Sequence, residues 1–322
     1  MPVLDKIRPP FRLLCLLLCF VITLTSHVYA REKNNINIAV VLSKDTPPYH
    51  AFSEKLQKTL TATQIQKVKF HTIDSDINDS ISTLYVSGNT PDFIVAAGAH
   101  ASTKILTSDN SIPTIFSLIP SSYYKNRIQN SAYCKRGKYC SAVYLDQPVE
   151  RQFSIIKKGL PDAKHLGIIL GPSSKNIKNE ILRASKKYGI NVILESAKTD
   201  ENLIVLVDHL ARSSDALLAI PDHDVYNRKT AKGILLNSYK NHIPFVAYSH
   251  SFVRAGALFS IYSTPEQIGE QTGKMLVGML THSKNTLPEP EFPDAYKVEI
   301  NPAVLRSLRS RIHFNDSILD KQ

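Results

Sequence analysis

The chain has 322 residues, of which 43% are hydrophobic and 21% are charged, and its formal net charge at pH 7 is +11. This composition is typical of a globular protein, and the chain has no low-complexity tract and no internal repeat. Its Lys and Arg residues are scattered and are not interleaved with aromatic residues. The basic balance therefore indicates a solvated surface and argues against nucleic-acid binding.

Residues 1–30 have the pattern of a secretory signal peptide. An apolar run over residues 13–25 is followed by Val-Tyr-Ala, so we expect cleavage after Ala30. The basic start of the segment consists of Lys6, Arg8 and Arg12. The apolar run is shorter than the roughly 20 residues that a membrane span needs, so no stable membrane insertion is expected. An uncleaved anchor is the alternative.

The cysteines of this segment do not form a lipoprotein signal. Leu18 precedes Cys19 at a position where lipid attachment requires a small residue. An exported protein without a lipid anchor is retained only by an outer membrane, which favours the periplasm of a Gram-negative cell. Cleavage would leave residues 31–322 with a formal charge of +9, because three of the four charges removed are positive.

Cys134 and Cys140 are the only cysteines after the signal segment, within YCKRGKYC. Export places them in an oxidising compartment, so we expect a disulfide between them. A redox pair or a metal pair is the alternative. No His or acidic residue lies near them in the sequence to complete a zinc site, which disfavours the metal.

The first half of the mature chain alternates apolar runs with helix-like segments. Such runs are typical of strands buried in a parallel sheet. We predict strands at Ile36–Leu42, Val68–Ile73, Phe93–Ala97 and Thr114–Ile119, and helices at His50–Thr61, Ser80–Val86 and Ala101–Leu106.

The second half repeats this alternation, so the fold class is α/β with two doubly wound parallel-sheet lobes. We predict strands at Ala142–Leu145, His165–Leu170, Asn191–Glu195, Ala216–Ile220 and Pro244–Tyr248. The predicted helices are Val149–Leu160, Asn176–Lys187, Leu203–Arg212 and Lys229–Asn241.

Polar side chains follow the strands of both halves, where parallel sheets bind their ligands. In the first half these are Ser43 after the first strand, Gly98 and His100 after the third, and Ser117 and Leu118 at the end of the fourth. We expect them to line one side of a cleft. A simple tight turn at Gly98 and a hydrogen-bonded structural role for His100 are the alternatives.

In the second half, Asp222, Tyr226, Tyr248 and Ser249 lie at the ends of two strands. We expect Asp222 to accept hydrogen bonds from a ligand amino group or hydroxyl, with a helix cap as the alternative. Ser173 and Ser174 precede a helix, so either is a candidate N-cap. Free N–H groups at that turn favour a ligand carboxylate.

Cofactor, metal and catalytic motifs are not evident. The sequence after Ala97 is not a dinucleotide fingerprint, so no cofactor is expected. In Pro-Asp-His-Asp, residues 221–224, successive side chains of an extended segment point alternately, so we expect no metal site. No GxSxG elbow, HExxH helix or phosphate-binding loop appears, which disfavours an enzyme.

Four strings resemble the periplasmic substrate-binding proteins of ABC transporters, in the branch with tryptophan- and tyrosine-type binding proteins. They are YLDQPVERQFSIIKKGLPDAKHLGIILGPSSKN, LLAIPDHDVYNRKTAKGILLNSYKNHIPFVAYS, VRAGALFSIYSTPEQIGEQTG and EINPAVLRSLR. The resemblance covers most of the chain after about Ser141.

The resemblance implies the type I periplasmic-binding fold, with two lobes joined by three crossing segments. These would be residues 144–147, 258–263 and 289–298, with 264–281 packing back on the first lobe. Lobe 1 would comprise residues 31–147 and 263–288. Lobe 2 would comprise residues 148–262 and 289–322.

The resemblance also implies function. The protein would capture a small ligand between the lobes, close around it and present it to an ABC permease, as a monomer. Leu118 and Ile119 stand where the amino-acid-binding branch carries a Thr/Asp-Pro-type sequence, so an apolar or aromatic ligand is expected. The alternatives are a ligand-sensing subunit of a membrane signalling protein and a periplasmic hydrolase.

Overall fold

A computed structural model of the protein describes residues 35–63, 67–74, 90–108, 112–135, 140–198, 202–281, 287–309 and 312–319. The predicted signal peptide and the predicted helix at 80–86 lie outside these residues. Within the described ranges, none of the helices has the length and apolar character that crossing a membrane requires.

The first sheet has five parallel strands in the order β2-β1-β3-β4-β5. They are β1 (Asn35–Leu42), β2 (Lys67–Asp74), β3 (Phe93–Ala97), β4 (Thr114–Ile119) and β5 (Cys140–Tyr144). The predicted strands of this half are confirmed. The strand β5 begins two residues earlier than expected, because its pairing with β4 extends to Cys140.

Helices cover both faces of this sheet. They are α1 (Pro47–Thr61), α2 (Ala99–Thr107), α3 (Ser121–Tyr123), which continues as a π-helical turn (Tyr124–Ile128), and α4 (Ala132–Lys135). Alternate residues of β1 divide between two cores: Ile38 packs with α1 and Ala39 with α2. The near-continuous apolar character of the strand follows from this burial on both faces.

The second sheet has six strands in the order β7-β6-β8-β9-β10-β11, of which only β11 is antiparallel within the described residues. They are β6 (His165–Leu170), β7 (Asn191–Ser196), β8 (Ala216–Leu218), β9 (Phe245–Ala247), β10 (Phe259–Tyr262) and β11 (Lys297–Ile300). The predicted α/β fold with two doubly wound lobes is confirmed.

The helices of the second half lie on both faces of its sheet, except for Pro265–Thr281, which packs on the first lobe. They are α5 (Val149–Gly159), α6 (Lys178–Tyr188), α7 (Leu203–Ser213), α8 (Ala231–Lys240), α9 (His250–Ala255), α10 (Pro265–Thr281) and α11 (Pro302–Leu308). Short 3-10 turns form at Lys175–Ile177 and Asp316–Leu319. One face of the sheet packs with α5 and α6, and the other with α7 and α8.

The segments that cross between the two sheets differ in length from the predicted ones. Residues 259–262 and 297–300 pair with each other as strands of the second sheet, so the second and third crossings are shorter than predicted. The crossings contact one another directly. The Gln147 side chain donates to the Ser263 hydroxyl at 2.8 Å, and that hydroxyl donates to the Ala295 carbonyl at 2.6 Å.

The helix α10 returns to the first lobe and packs along α1. The approach is close at Gly269, where an added Cβ would overlap the Phe52 carbonyl oxygen. Beside this contact, hydrogen bonds from Lys274 and Lys55 lower the pKa of the Glu270 carboxyl to about 2. Close backbone approach at Gly269 and the burial of Ile268 and Leu276 in the core beneath α1 therefore join α10 to the first lobe.

The predicted disulfide between Cys134 and Cys140 is present, with the two Cα atoms 5.4 Å apart. It joins the end of α4 to the start of β5. A loop this short contributes roughly 2 to 3 kcal/mol by the chain-entropy model, so the bond fixes local geometry more than it stabilises the fold.

We predict that Gly269→Ala lowers the free energy of unfolding by about 2 to 3 kcal/mol, because the new methyl forces α10 away from α1. Denaturant unfolding measures the change. Gly278→Ala in the same helix is the control, since nothing lies within 4 Å of a Cβ added there. It should be neutral or stabilise by up to about 1 kcal/mol through helix propensity. Equal effects of the two variants would contradict this packing.

Candidate functional site

Each sheet has one point where consecutive strands send their helices to opposite faces. In the first sheet this switch point lies between β1 and β3, since α1 and α2 pack on opposite faces. In the second it lies between β6 and β8, followed by α6 and α8. Ligands of open α/β sheets bind in such crevices. The residues that follow these four strands therefore form the candidate site.

The first switch point is a tightly packed turn. The Ser43 hydroxyl accepts a hydrogen bond from the Ala101 N–H at 2.9 Å and also bonds the Tyr49 hydroxyl. Gly98 has a φ of 90°, and an added Cβ there would lie 2.5 Å from Ser43 Oγ. Burial raises the pKa of Tyr49. Ser43 and Gly98 thus shape the turn, while His100 is exposed on the first turn of α2.

The end of β4 is irregular. Ser117 is fully buried and its hydroxyl lies 3.0 Å from the Thr272 hydroxyl of α10, so it contacts the helix under the sheet. Leu118 has a φ of 56°, and the pairing of β4 with β5 shifts register between Ser117 and Ile119. Such a bulge redirects a side chain. Leu118 therefore shares a face with Ser117, half-buried at the carboxyl edge of the sheet.

At the second switch point, Asp222 is buried and its carboxylate binds the neighbouring turn. Oδ2 accepts from the Ser174 N–H at 2.8 Å and from the Ser174 hydroxyl at 2.7 Å, and Oδ1 accepts from the Asp224 N–H at 2.9 Å. Gly171 lets the carboxylate approach, since an added Cβ would lie 2.8 Å from it. Asp222 thus organises the turn at 171–174.

The serines of this turn have other partners than expected. The Ser174 hydroxyl accepts from the Gly171 N–H at 3.1 Å and makes no N-cap bond to the helix that follows. The cap prediction is wrong for Ser174, because the Asp222 carboxylate competes for its hydroxyl. The Ser173 hydroxyl is half-buried and lies 3.2 Å from His223 Nδ1.

Residues 222–224 do bring their side chains together, with one possible ligand atom from each within 4.8 Å of the others. The expectation that they point apart is wrong, because this segment is a turn in which the Tyr226 N–H donates to the Asp222 carbonyl. Both Asp222 carboxylate oxygens already accept hydrogen bonds and His223 is exposed, so we assign no metal here.

Four aromatic rings cluster beside Asp222 after β8 and β9. Tyr248 lies 6.1 Å from Tyr226 and 5.0 Å from Phe252, measured between ring centroids, and Phe245 contacts two of these rings. Burial, and then the charge of Asp222, raise the pKa of Tyr248, so its hydroxyl stays neutral. Tyr248 and Phe252 remain half-buried, and Tyr248 is the one that directly follows β9.

The carboxyl edges of the two sheets face each other. Asn126, which follows β4, donates through Nδ2 to the Ser173 carbonyl at 3.0 Å, and Ser173 follows β6. Beside this contact, Lys125 and Glu180 form an ion pair at 2.7 Å. The segment that follows β4 in the first lobe therefore contacts the turn that follows β6, next to the second switch point.

An open cavity of about 340 Å³ lies elsewhere, at the β10–β11 edge of the second sheet. Its lining includes His250, Tyr262, Lys297 and Glu299. His250 Nδ1 lies 2.8 Å from both Glu299 carboxylate oxygens, and the Tyr262 hydroxyl donates to one of them at 2.6 Å. These groups satisfy one another, so we place the functional site at the switch points.

A family model described as ABC transporter substrate binding protein matches residues 35–322. The chain belongs to the ABC transporter substrate-binding protein family. This is a substrate-binding family, in keeping with a sequence that lacks catalytic motifs. No curated protein sequence gives a significant match.

Solved structures of this ABC substrate-binding fold match the chain at low identity. A ligand-free, open substrate-binding protein with adhesive properties from Clostridium difficile has a TM-score of 0.65 at 19% identity. An ABC domain from Streptococcus pneumoniae in complex with L-Trp has a TM-score of 0.63 at 20% identity. A conserved domain protein from Vibrio cholerae has a TM-score of 0.62 at 19% identity. Each of these three matches covers 89% of this chain and 98% of the solved chain.

For this ABC substrate-binding protein, the site residues predicted from the sequence follow strands of both sheets, but the sequence missed several contacts. Asp146, in the first crossing, accepts from the Ser121 N–H and hydroxyl, both at 2.6 Å. Burial raises the pKa of Asp146, and these hydrogen bonds oppose the rise. Nothing in the sequence indicated the contacts made by Asn126 and Lys125 either. An Asp directly after a predicted strand could have indicated the Asp146 contact. The contacts of Asn126 and Lys125 depend on the approach of the two lobes.

We predict that Asp222→Ala destabilises the protein without any ligand present, by about 3 kcal/mol, because it leaves buried donors of the 171–174 turn unpaired. Denaturant unfolding measures the loss. Asp224→Ala is the control, since that half-buried carboxylate makes only a 3.3 Å bond with the Ser173 hydroxyl and a 3.5 Å contact with the exposed His223 ring among the described residues. It should cost less than about 1 kcal/mol. Full stability of Asp222→Ala would contradict the structural role.

Proposed function

We propose that the protein captures a small amphipathic or aromatic ligand in the cleft between its lobes and presents it to an ABC permease. The observation that carries the ligand class is an apolar surface on each lobe, one strand away from each switch point. Leu118 lies at the strand ends of the first lobe and Tyr248 at those of the second. A flat apolar group between the lobes would bury surface on both.

The predicted site residues divide into two roles in this proposal. Leu118, Tyr248, His100 and Ser173 have exposed or half-buried side chains and would contact the ligand. The others are buried within their turns and would shape the cleft: Ser43, Gly98, Ser117, Ser174 and Asp222. Because Asp222 already accepts hydrogen bonds through both oxygens, a ligand amino group is not required for binding.

The remaining parts of the proposal concern the cell. The mature chain would begin at Arg31 and act as a periplasmic monomer without catalysis. Lobe 1 would consist of 31–147 and 263–288, and lobe 2 of 148–262 and 289–322. Closure follows from ligand contacts with both lobes, since only differential affinity shifts a conformational equilibrium.

A thermal-shift screen of residues 31–322 tests this function. Amino acids, aromatic acids, nucleosides, sugars and peptides are compared, with L-tryptophan included because the S. pneumoniae structure contains it. At about 100 times its dissociation constant, a ligand adds roughly 2.7 kcal/mol, which raises the melting temperature by several degrees. A shift confined to aromatic compounds supports the ligand class. No shift with any class contradicts a small-ligand function.

The absence of Trp from the chain makes a direct binding assay possible. Indole fluorescence then arises only from the ligand, so its anisotropy rises on binding without protein background. L-tryptophan and indole-3-propionate differ only at the amino group. Comparable affinity for both would show that the amino group is not recognised.

We predict that Leu118→Gly weakens binding of the indole compound found in these assays by about tenfold while leaving stability within about 1 kcal/mol of wild type. Glycine relieves a positive φ that costs leucine about 1 kcal/mol, which offsets the lost packing of a half-buried side chain. Anisotropy titration and denaturant unfolding measure the two effects.

The control is His242→Gly. In the described part of the chain, His242 is the other non-glycine residue with positive φ, also 56°, and it lies in the turn before β9, at the opposite edge of the sheet. It should gain the same relief and keep wild-type affinity. Unchanged binding by Leu118→Gly would remove this residue from the ligand surface.

A further inference from the structure

The π-helical turn at 124–128 is held at both ends and directs its middle outward. The Gln129 N–H donates to the Tyr124 carbonyl at 2.9 Å, which closes the wide turn. Tyr124 and Ile128 are buried, and the Tyr124 ring lies 6.4 Å from Phe116 and 5.8 Å from Tyr144. The residues between them are consequently displayed at the edge of the first lobe.

Asn126 uses both ends of its amide across the cleft. Its Nδ2 donates to the Ser173 carbonyl at 3.0 Å, and its Oδ1 accepts from Asn176 Nδ2 at 3.1 Å. Neighbouring Lys125 donates to Glu180 Oε1 at 2.7 Å. Two adjacent residues of one lobe thus contact a short stretch of the other through three polar bonds. A primary amide is the group that can donate and accept here at once.

Both ends of this contact are connected to stiff structure. On the second lobe, Ser173 precedes Ser174, which Asp222 holds through two hydrogen bonds. On the first lobe, the helix that leads into the turn begins at Ser121, which Asp146 of the first crossing holds through two more. The position of Asn126 is therefore transmitted to the second switch point.

We propose that Asn126, assisted by Lys125, forms a non-covalent tie between the lobes that sets ligand affinity although neither residue touches the ligand. The effect on affinity rests on the proposed binding function, whereas the tie itself does not. A ligand that needs both lobes binds with an apparent affinity proportional to the population of the competent arrangement. Bonds that favour that arrangement strengthen binding by the same factor.

Asn126 and Lys125 should contribute unequally to the contact between the lobes. Lys125 and Glu180 keep about a third of their side-chain surface exposed, and exposed ion pairs contribute little. Asn126 is exposed as well, but its amide bonds two groups of the facing lobe at once, so its loss removes two of the three polar bonds. We therefore expect Asn126→Ala to have the larger effect and Lys125→Ala a smaller, salt-dependent one.

Small-angle X-ray scattering without ligand tests the tie. Asn126→Ala should raise the radius of gyration, and Asn126→Asp should do so too, because a carboxylate cannot donate to the Ser173 carbonyl. The controls have comparable bonds within the second lobe. Asn241 Nδ2 donates to the Asn237 carbonyl at 3.0 Å, and Lys187 pairs with Glu150 at 2.6 Å. Asn241→Ala and Lys187→Ala should scatter like wild type.

Titration with L-tryptophan, followed by anisotropy, tests the effect on affinity. The apparent dissociation constant should rise about threefold to tenfold in Asn126→Ala and not in the controls. Wild-type scattering by Asn126→Ala overturns the proposal, and so does an expanded variant with unchanged affinity. If the wild-type protein does not bind L-tryptophan, the choice of probe is contradicted, and the scattering comparison still decides whether the tie exists.

Discussion

The burial of parallel strands on both faces is the constraint on which this structure depends. Alternate residues of β1 enter different cores, so helices must cover each side, and the change of side leaves a crevice at the strand ends. The same constraint acts in the second sheet between β6 and β8. Two crevices facing one another are what a ligand between two lobes needs. The location of the site thus follows from the way the strands are buried.

Apolar runs were sufficient to predict the strands β1 to β9, but not their order in the two sheets. The run at Phe93–Ala97 is bounded by polar or small residues and forms a strand with those limits. Strand pairing further along the chain was harder to predict. The strands β10 and β11 lie far apart in the sequence, and their antiparallel pairing depends on the chain returning from α10. Periodicity carries local information, whereas this pairing is a property of the whole fold.

The sequence predicted which strand ends carry the candidate site residues, but not the contacts that their atoms make. Asp222 was expected to meet a ligand, yet its oxygens are used by Ser174 and Asp224. Sequence shows that a carboxylate is present but not which donors lie within 3 Å of it. The bulge at Leu118 is similarly hidden, because leucine is a residue that ordinarily avoids positive φ. Its identity gave no warning of the conformation that directs it toward the cleft edge.

The turns at the switch points are well hydrogen-bonded, whereas the contacts across the cleft are few. The turns at both switch points satisfy their own hydrogen bonds, so they keep their shape as the lobes move. Contacts across the cleft are fewer and partly exposed, as at Asn126 and Ser173. In the proposed function, each lobe would therefore move as a rigid body. The free-energy difference between open and closed arrangements of the lobes would then depend on a few weak bonds across the cleft and on the ligand. A ligand of modest apolar area is then sufficient to shift the balance, since it competes with bonds of comparable size and not with the folding of either lobe.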